Sequence, residues 1–248
     1  MRRWAAVGVS VRPLRAVPPW VRGLLAGTLA LQLGWHALLP DPAGEARPIP
    51  PAPPADVLAV AALGEPPTLA AGLTLWLKTR DDQPGARQNF HELDFHRVRE
   101  WLTTILTIDP DSQYPLMLAV RVYGQVVNPG QQRIMLDFVH EAFRERPAQR
   151  WRWLAEASII ARHRLEDLDL ALAYAETLAA HTRPGEAPIW ARDLQSLILE
   201  EMGEYEAAAI VIGGLLDAGE IEDPRELEFL RQRLERLRER EPGNNDSE

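Results

Sequence analysis

After about residue 55, the apolar residues of this chain recur with the spacing of one face of a helix. A clear example is the stripe formed by Phe95, Val98, Leu102 and Ile105. Pro110 follows this stripe and ends it, because the residue before a proline is biased away from helical backbone. Since every strong periodic signal in this part of the chain is helical, the pattern predicts an all-α fold.

The helical pattern repeats with a fixed step of 37 residues. A period of this length is typical of stacked two-helix units, because one helix pair is too small to bury its own apolar face. The recurring residues are Pro110, Pro147 and Pro184; Leu116, Trp153 and Trp190; Tyr123, Ile160 and Leu197; and Ile134, Ala171 and Ala208. Stacked helix pairs commonly present binding surfaces, so the period favours a protein-binding role.

Residues 90–218 resemble the tetratricopeptide repeat family. The closest match is the turn that contains Gly203, Tyr205 and Ala208, which is similar to the G-x-Y-x-x-A segment of that family. The resemblance implies an α-α superhelix of about three to four helix pairs, within a helical domain that spans residues 56–240.

The last predicted helix begins with a capping sequence, in which Asp223 suits the cap position and Pro224 the first helical position. An apolar seam follows, formed by Leu227, Leu230, Leu234 and Leu237. We expect this helix to cap the last repeat. The alternative is a short coiled coil that forms a homodimer. Residues 241–248 are predicted to be a disordered tail.

The N-terminal part combines arginines with an apolar run. The first 39 residues contain five arginines and no acidic residue. We expect residues 1–20 to be a cytoplasmic basic segment and residues 21–39 to be a single transmembrane helix that acts as a signal anchor. The helical domain would then face the periplasm from a bacterial inner membrane. The alternative is a signal peptide that is cleaved after Ala46, which would leave a soluble periplasmic protein.

Residues 40–55 form a proline-rich segment between the apolar run and the helical part. Proline at this density favours extended polyproline II, which acts as a semi-rigid spacer. We therefore expect a linker that holds the helical domain away from the membrane.

Composition excludes several functions. The chain is acidic, with a formal net charge of −9, whereas a nucleic-acid partner requires basic surface. Cysteine is absent, which excludes disulfides and thiolate catalysis. His91 and His96 are five residues apart and so lie roughly 140° apart around a helix, too far for a shared metal. We expect no catalytic residue, no metal site and no cofactor. The remaining alternative is an enzyme that processes cell-envelope polymers.

The candidate binding site follows from the family resemblance, which implies that the first helix of each pair lines a concave groove. The matching positions here are Tyr114, Met117, Arg121, Trp151, Ser158, Arg162 and Gln195. Aromatic residues and arginines are common anchors of protein recognition. We expect a membrane-anchored, periplasm-facing interaction scaffold whose groove binds a protein or peptide of unknown identity. The alternative is a structural, oligomerising subunit of a cell-envelope assembly.

Overall fold

The structure is a computed structural model that describes residues 18–38, 48–81, 93–219 and 221–240. Within these ranges every regular element is helical, which confirms the all-α prediction. The disordered tail predicted at 241–248 lies outside the described residues, as do most of the basic segment and the first half of the linker. The chain divides into two compact units, and helix α1 (Pro19–Leu38) belongs to the first.

Helix α1 coincides with the apolar run that the sequence places at residues 21–39. No helix in the described part of the chain is long and apolar enough to cross a membrane, so the predicted transmembrane helix is not confirmed. Helix α1 has 20 residues, but Arg22, Thr28 and Gln32 lower its mean hydropathy, and glycines dilute its apolar side chains.

The second unit is a succession of helices that pack against their neighbours in the chain. These helices are α2 (Ala55–Ala61), α3 (Pro66–Asp81), α4 (Phe95–Ile108), α5 (Tyr114–Arg121), α6 (Pro129–Glu145), α7 (Pro147–His163), α8 (Leu168–His181), α9 (Ile189–Arg192), α10 (Leu194–Met202), α11 (Tyr205–Asp217) and α12 (Pro224–Glu239). The helix pairs are α3 with α4, α5 with α6, α7 with α8, and α10 with α11. Contacts between successive pairs join α5 to α7 and α8 to α10.

Short polar residues start several of these helices, as the sequence predicts for the last one. The side chains of Asp94, Asn128, Asp167 and Asp223 each accept a hydrogen bond from a backbone N–H of the following helix. Such caps satisfy donors that have no partner inside the helix. Gly203 ends α10 with a φ of 83°, a left-handed conformation that glycine adopts without a steric penalty.

The 37-residue step of the sequence appears in the structure as hydrogen bonds between neighbouring helix pairs. The Tyr174 hydroxyl donates to the Asp137 carboxylate at 2.8 Å, and these two residues are 37 apart. His140 Nε2 lies 3.2 Å from the Thr177 hydroxyl, across the same interval. Both contacts join α6 to α8, so equivalent turns of successive second helices lie side by side.

The second half of the predicted linker packs on the helical unit. Ile49 is buried, the Pro50 carbonyl accepts a 2.8 Å hydrogen bond from the Trp101 indole, and the Ala52 amide donates to Glu100 at 3.2 Å. Residues 49–52 of the predicted linker are therefore in contact with the helical unit. Both hydrogen bonds are made by side chains of α4. They satisfy backbone polar groups of the extended segment that would otherwise bond to water.

Helix α12 caps the series, as predicted. Leu230 and Leu237 are buried in an apolar cluster with Ala208 and Ile212 of α11. Two of the four leucines of the seam, Leu230 and Leu237, are thus buried within the chain. Arg233 adds a buried ion pair, donating to the Asp193 carboxylate at 2.7 Å and to Glu200 at 3.0 Å. Helix α12 is therefore attached to α10 by charge and to α11 by apolar contact.

Candidate protein-binding surface

Three aromatic side chains stand near the beginning of successive first helices: Tyr114 in α5, Trp151 in α7 and Trp190 in α9. We call them the aromatic row. Tyr114 is 50% exposed and Trp190 is 49% exposed, while Trp151 is half-buried against the core. The Trp151 and Trp190 rings meet edge to face, with centroids 5.8 Å apart. Half-exposed aromatic rings on a rigid helical support are typical anchors of protein recognition.

The two predicted groove arginines lie near the ends of first helices and form ion pairs with the following unit. Arg121 binds the Glu156 carboxylate through both Nε and Nη2, and its guanidinium lies 5.5 Å from the Trp153 ring centroid. The hydrogen bond and charge of Glu156 raise the pKa of Arg121. Arg162 of α7 pairs through its Nε with the Glu201 carboxylate of α10. These arginines connect neighbouring units, so their charge is already compensated within the chain.

The remaining predicted groove residues have different surroundings. Ser158 is buried, and its hydroxyl donates to the Ala171 carbonyl at 2.8 Å, so it is removed from the predicted groove. The side chain is small enough for α7 and α8 to pack closely around it. Met117 is half-buried against the core, and Gln195 is half-buried on α10. Of the predicted site, Tyr114 is thus exposed and free of an ion pair among the described residues, Arg121 is exposed but paired with Glu156, and Trp151 is half-buried.

A cleft of 440 Å³ lies beside Tyr114, at one end of the aromatic row. Its walls come from α3 and from the α4–α5 connection, and they are formed by Pro67, Ala71, Thr74, Leu75, Lys78, Asp109, Ser112 and Tyr114. Leu75 is 69% exposed, so the cleft presents apolar surface to solvent. Lys78 brings a positive charge to this wall, with its Nζ 5.9 Å from the Tyr123 ring centroid.

A second, more open cleft of 720 Å³ lies beside Trp151, the middle member of the row. We call it the tryptophan cleft. Its lining residues are Trp151, Gly185, Glu186, Ala187, Pro188, Ile189, Glu222, Asp223 and Glu226. The side towards α9 is apolar, and the side towards the beginning of α12 is acidic. Both clefts have volumes within the range of small-molecule and side-chain binding pockets.

Trp190 is the accessible residue that sequence reasoning assigned to the framework. By the 37-residue step it is equivalent to Trp153, which is only 4% exposed and donates to Gln113 at 2.7 Å. The first helix of the third pair is interrupted at Asp193, whose side chain is buried against Arg233. Because of this interruption Trp190 does not take the place of Trp153 and lies on Trp151 instead. The sequence signal for this interruption was Asp193, an acidic residue in the middle of a predicted apolar helix.

Groups with perturbed pKa values lie away from both clefts and serve packing. Burial lowers the pKa of His140, while burial and the Asp137 carboxylate raise the pKa of Tyr174. Burial also raises the pKa of Asp193, against the opposing effect of Ser196 and Arg233. Within the described residues, no group of three or more histidines and carboxylates is arranged to hold a metal ion.

The chain matches no protein-family model, no curated protein and no solved structure. The resemblance to tetratricopeptide repeats therefore stays a prediction from the sequence.

Proposed function

We propose that this protein is a helical-repeat scaffold that binds a peptide segment of a partner protein along the aromatic row. The observation that carries the proposal is the arrangement of Tyr114, Trp151 and Trp190 on successive first helices, with one cleft beside Tyr114 and another beside Trp151. Exposed aromatic side chains on a packed support bind partners with little loss of conformational entropy.

The ion pairs of Arg121 with Glu156 and of Arg162 with Glu201 support the same function. They link successive first helices, so the spacing of the aromatic side chains is set before a partner arrives. Preorganisation of this kind raises affinity because less ordering is needed on binding. We extend the proposal to the shape of the array: the stacked pairs form a superhelix of the tetratricopeptide type, and the aromatic row lies on its concave side.

The test is in-cell crosslinking with a photoreactive amino acid at Tyr114 or at Trp190. Ile210 is the matched control, because it is 68% exposed and apolar but lies on the second helix α11. We expect one and the same partner to be crosslinked from both row positions and not from the control. Mass spectrometry of the adducts then identifies the bound segment. Equal crosslinking from all three positions, or unrelated partners at the two row positions, would contradict the proposal.

We also propose, from the arginines of the first 39 residues and the acidic residues that follow, that the helical domain faces the periplasm. A fusion of alkaline phosphatase to the C-terminus tests this, because that enzyme folds to its active form only where disulfides form. Phosphatase activity in intact cells is the expected result. An inactive but stable fusion would place the domain on the cytoplasmic side.

A further inference from the structure

The tryptophan cleft differs from the cleft beside Tyr114 in its charge. Among the described residues, those that line it and carry a charge are all carboxylates: Glu186, Glu222, Asp223 and Glu226. None of them forms an ion pair within the part of the chain that the structure describes, in contrast to the arginines of α5 and α7. The cleft is therefore a place where negative charge is gathered and not compensated.

Two of these carboxylates have structural bonds that hold them in place. Glu186 accepts a hydrogen bond from the Arg183 amide at 2.8 Å, and Asp223 accepts one from the Arg225 amide at 2.9 Å. These bonds occupy one oxygen of each carboxylate and do not neutralise its charge. The acidic side of the cleft is thus fixed in position by the loop before α9 and by the first turn of α12.

The opposite side of the cleft is apolar and aromatic. Trp151, Pro188 and Ile189 line it, and Trp190 supports the Trp151 ring from the edge. The face of an indole attracts cations, and a guanidinium or ammonium on a long apolar stem can cover such a surface while its head reaches a carboxylate. An apolar lining alone would not indicate which kind of ligand binds, but the negative charge of the other wall favours a cationic ligand.

We infer that the tryptophan cleft binds a basic peptide segment, with an arginine or lysine side chain inserted between Trp151 and the carboxylates of α12. This inference rests on the proposed function, because it assigns the charge of the partner segment that the aromatic row binds. The segment carries its positive charge at the end near α12 and apolar residues towards Tyr114, where the other cleft presents the exposed Leu75 and no excess of carboxylates.

The test measures binding of a fluorescein-labelled hexa-arginine peptide to the full-length protein by fluorescence anisotropy at low salt. Hexacitrulline is the matched peptide control, because citrulline keeps the shape of arginine without its charge. The variant Glu222→Gln/Glu226→Gln removes two carboxylates and leaves Asp223, the capping side chain of α12, unchanged. The control variant Glu204→Gln/Glu206→Gln changes the net charge equally at exposed positions away from the cleft.

We expect Glu222→Gln/Glu226→Gln to weaken hexa-arginine binding about tenfold, as for the loss of two partly exposed ion pairs, and the control variant to weaken it less than about twofold. Trp151→Leu should also weaken binding, with unchanged helical content by circular dichroism. Hexacitrulline should bind weakly to every variant. Equal weakening by the two double variants would show that the acidic protein attracts the peptide without a site, and would overturn the inference.

Failure of the inference is distinguishable from failure of the proposed function. If crosslinking at Tyr114 and Trp190 identifies a common partner whose bound segment is acidic or neutral, the scaffold function stands and the basic-peptide inference falls. If a hexa-arginine site is found but the row positions share no partner, the cleft binds basic peptide and the scaffold function falls. Sedimentation of the full-length protein with and without hexa-arginine tests whether a second copy of the chain occupies the cleft instead. An oligomer that the peptide dissociates would overturn the inference.

Discussion

Arg150 holds two helix pairs together, and its replacement by methionine is the most sensitive test of how the array is built. The side chain is 1% exposed. Its Nη1 donates to the Ala142 carbonyl at 2.6 Å and to the Glu145 carboxylate at 3.0 Å, and its Nη2 donates to the Pro110 carbonyl at 2.8 Å. One guanidinium therefore bridges the ends of α4 and α6 from the first turn of α7.

Methionine keeps an unbranched apolar side chain but removes every donor. The carbonyls of Ala142 and Pro110 then lose a charged partner in a buried place, and each such loss costs about 1–3 kcal/mol. Glu145 is 70% exposed and recovers its solvation in water, so it adds little. The Nε of Arg150 is buried without a hydrogen-bond partner, and removing it returns part of the loss. We expect a net destabilisation of about 2–4 kcal/mol.

The assay is urea denaturation of the full-length protein, followed by circular dichroism and by tryptophan fluorescence. Two probes are needed because arrays of repeats do not always unfold in one step. The control is Arg152→Met, two residues along α7, where the exposed guanidinium only stacks on Trp153 at 5.9 Å and is worth about 0.5–1 kcal/mol. If Arg150→Met is no more destabilising than Arg152→Met, the bridging role of Arg150 is refuted.

Three further predictions concern packing and charge. Gly124→Ala should destabilise the protein by about 1–3 kcal/mol, because the added Cβ would lie 2.8 Å from a backbone carbonyl oxygen. Gly213→Ala in helix α11 adds a Cβ that meets nothing within 4 Å and should stabilise the protein by about 0.5–1 kcal/mol. The urea midpoints of the two variants should therefore shift in opposite directions. Burial lowers the pKa of His140 below its ordinary value of 6.5. The contribution of the neutral ring to the free energy of unfolding is therefore complete above that pH and decreases as the pH falls below it. His140→Gln should reduce the pH dependence of the thermal midpoint, and an unchanged profile would contradict this. Arg233→Met should lower the hydrogen-exchange protection factors of the α12 amides, relative to the unchanged protein, more at neutral pH than at acid pH, because a protonated Asp193 no longer needs a charged partner. An equal loss of protection at both pH values would count against the ion pair.

The framework of the helical unit was predictable because it rests on local chemistry. Pro147 begins α7 and Pro110 lies beyond the end of α4, in agreement with the 37-residue step. Asp223 and Pro224 start α12 as the capping sequence predicts. In each case the residue acts on the backbone within one turn of itself, through a fixed φ or a side chain that reaches a neighbouring amide. Such effects can be read without knowing the rest of the fold.

The binding surface was predictable only in part. Tyr114 and Trp151 belong to the aromatic row, but Ser158 is buried and Arg121 is engaged with Glu156. Helical spacing gives the direction of a side chain around its own helix, and it says nothing about how closely the next helix approaches. Trp190 shows the same limit, because its exposure depends on the interruption at Asp193 and on Arg233, 40 residues further along the chain.

The sequence by itself determined the helical class, the step of the repeat and most helix ends, because these follow from periodicity and from caps and breaks that act over a few residues. The tertiary structure decided which aromatic rings stay accessible, which arginines are neutralised by the next unit, and that residues 49–52 contact the helical unit. It also brought Glu222, Asp223 and Glu226 beside Trp151, which lies about 70 residues earlier in the chain. Charge and apolar surface from such distant segments combine only when the helices stack, and the character of a binding site depends on that combination.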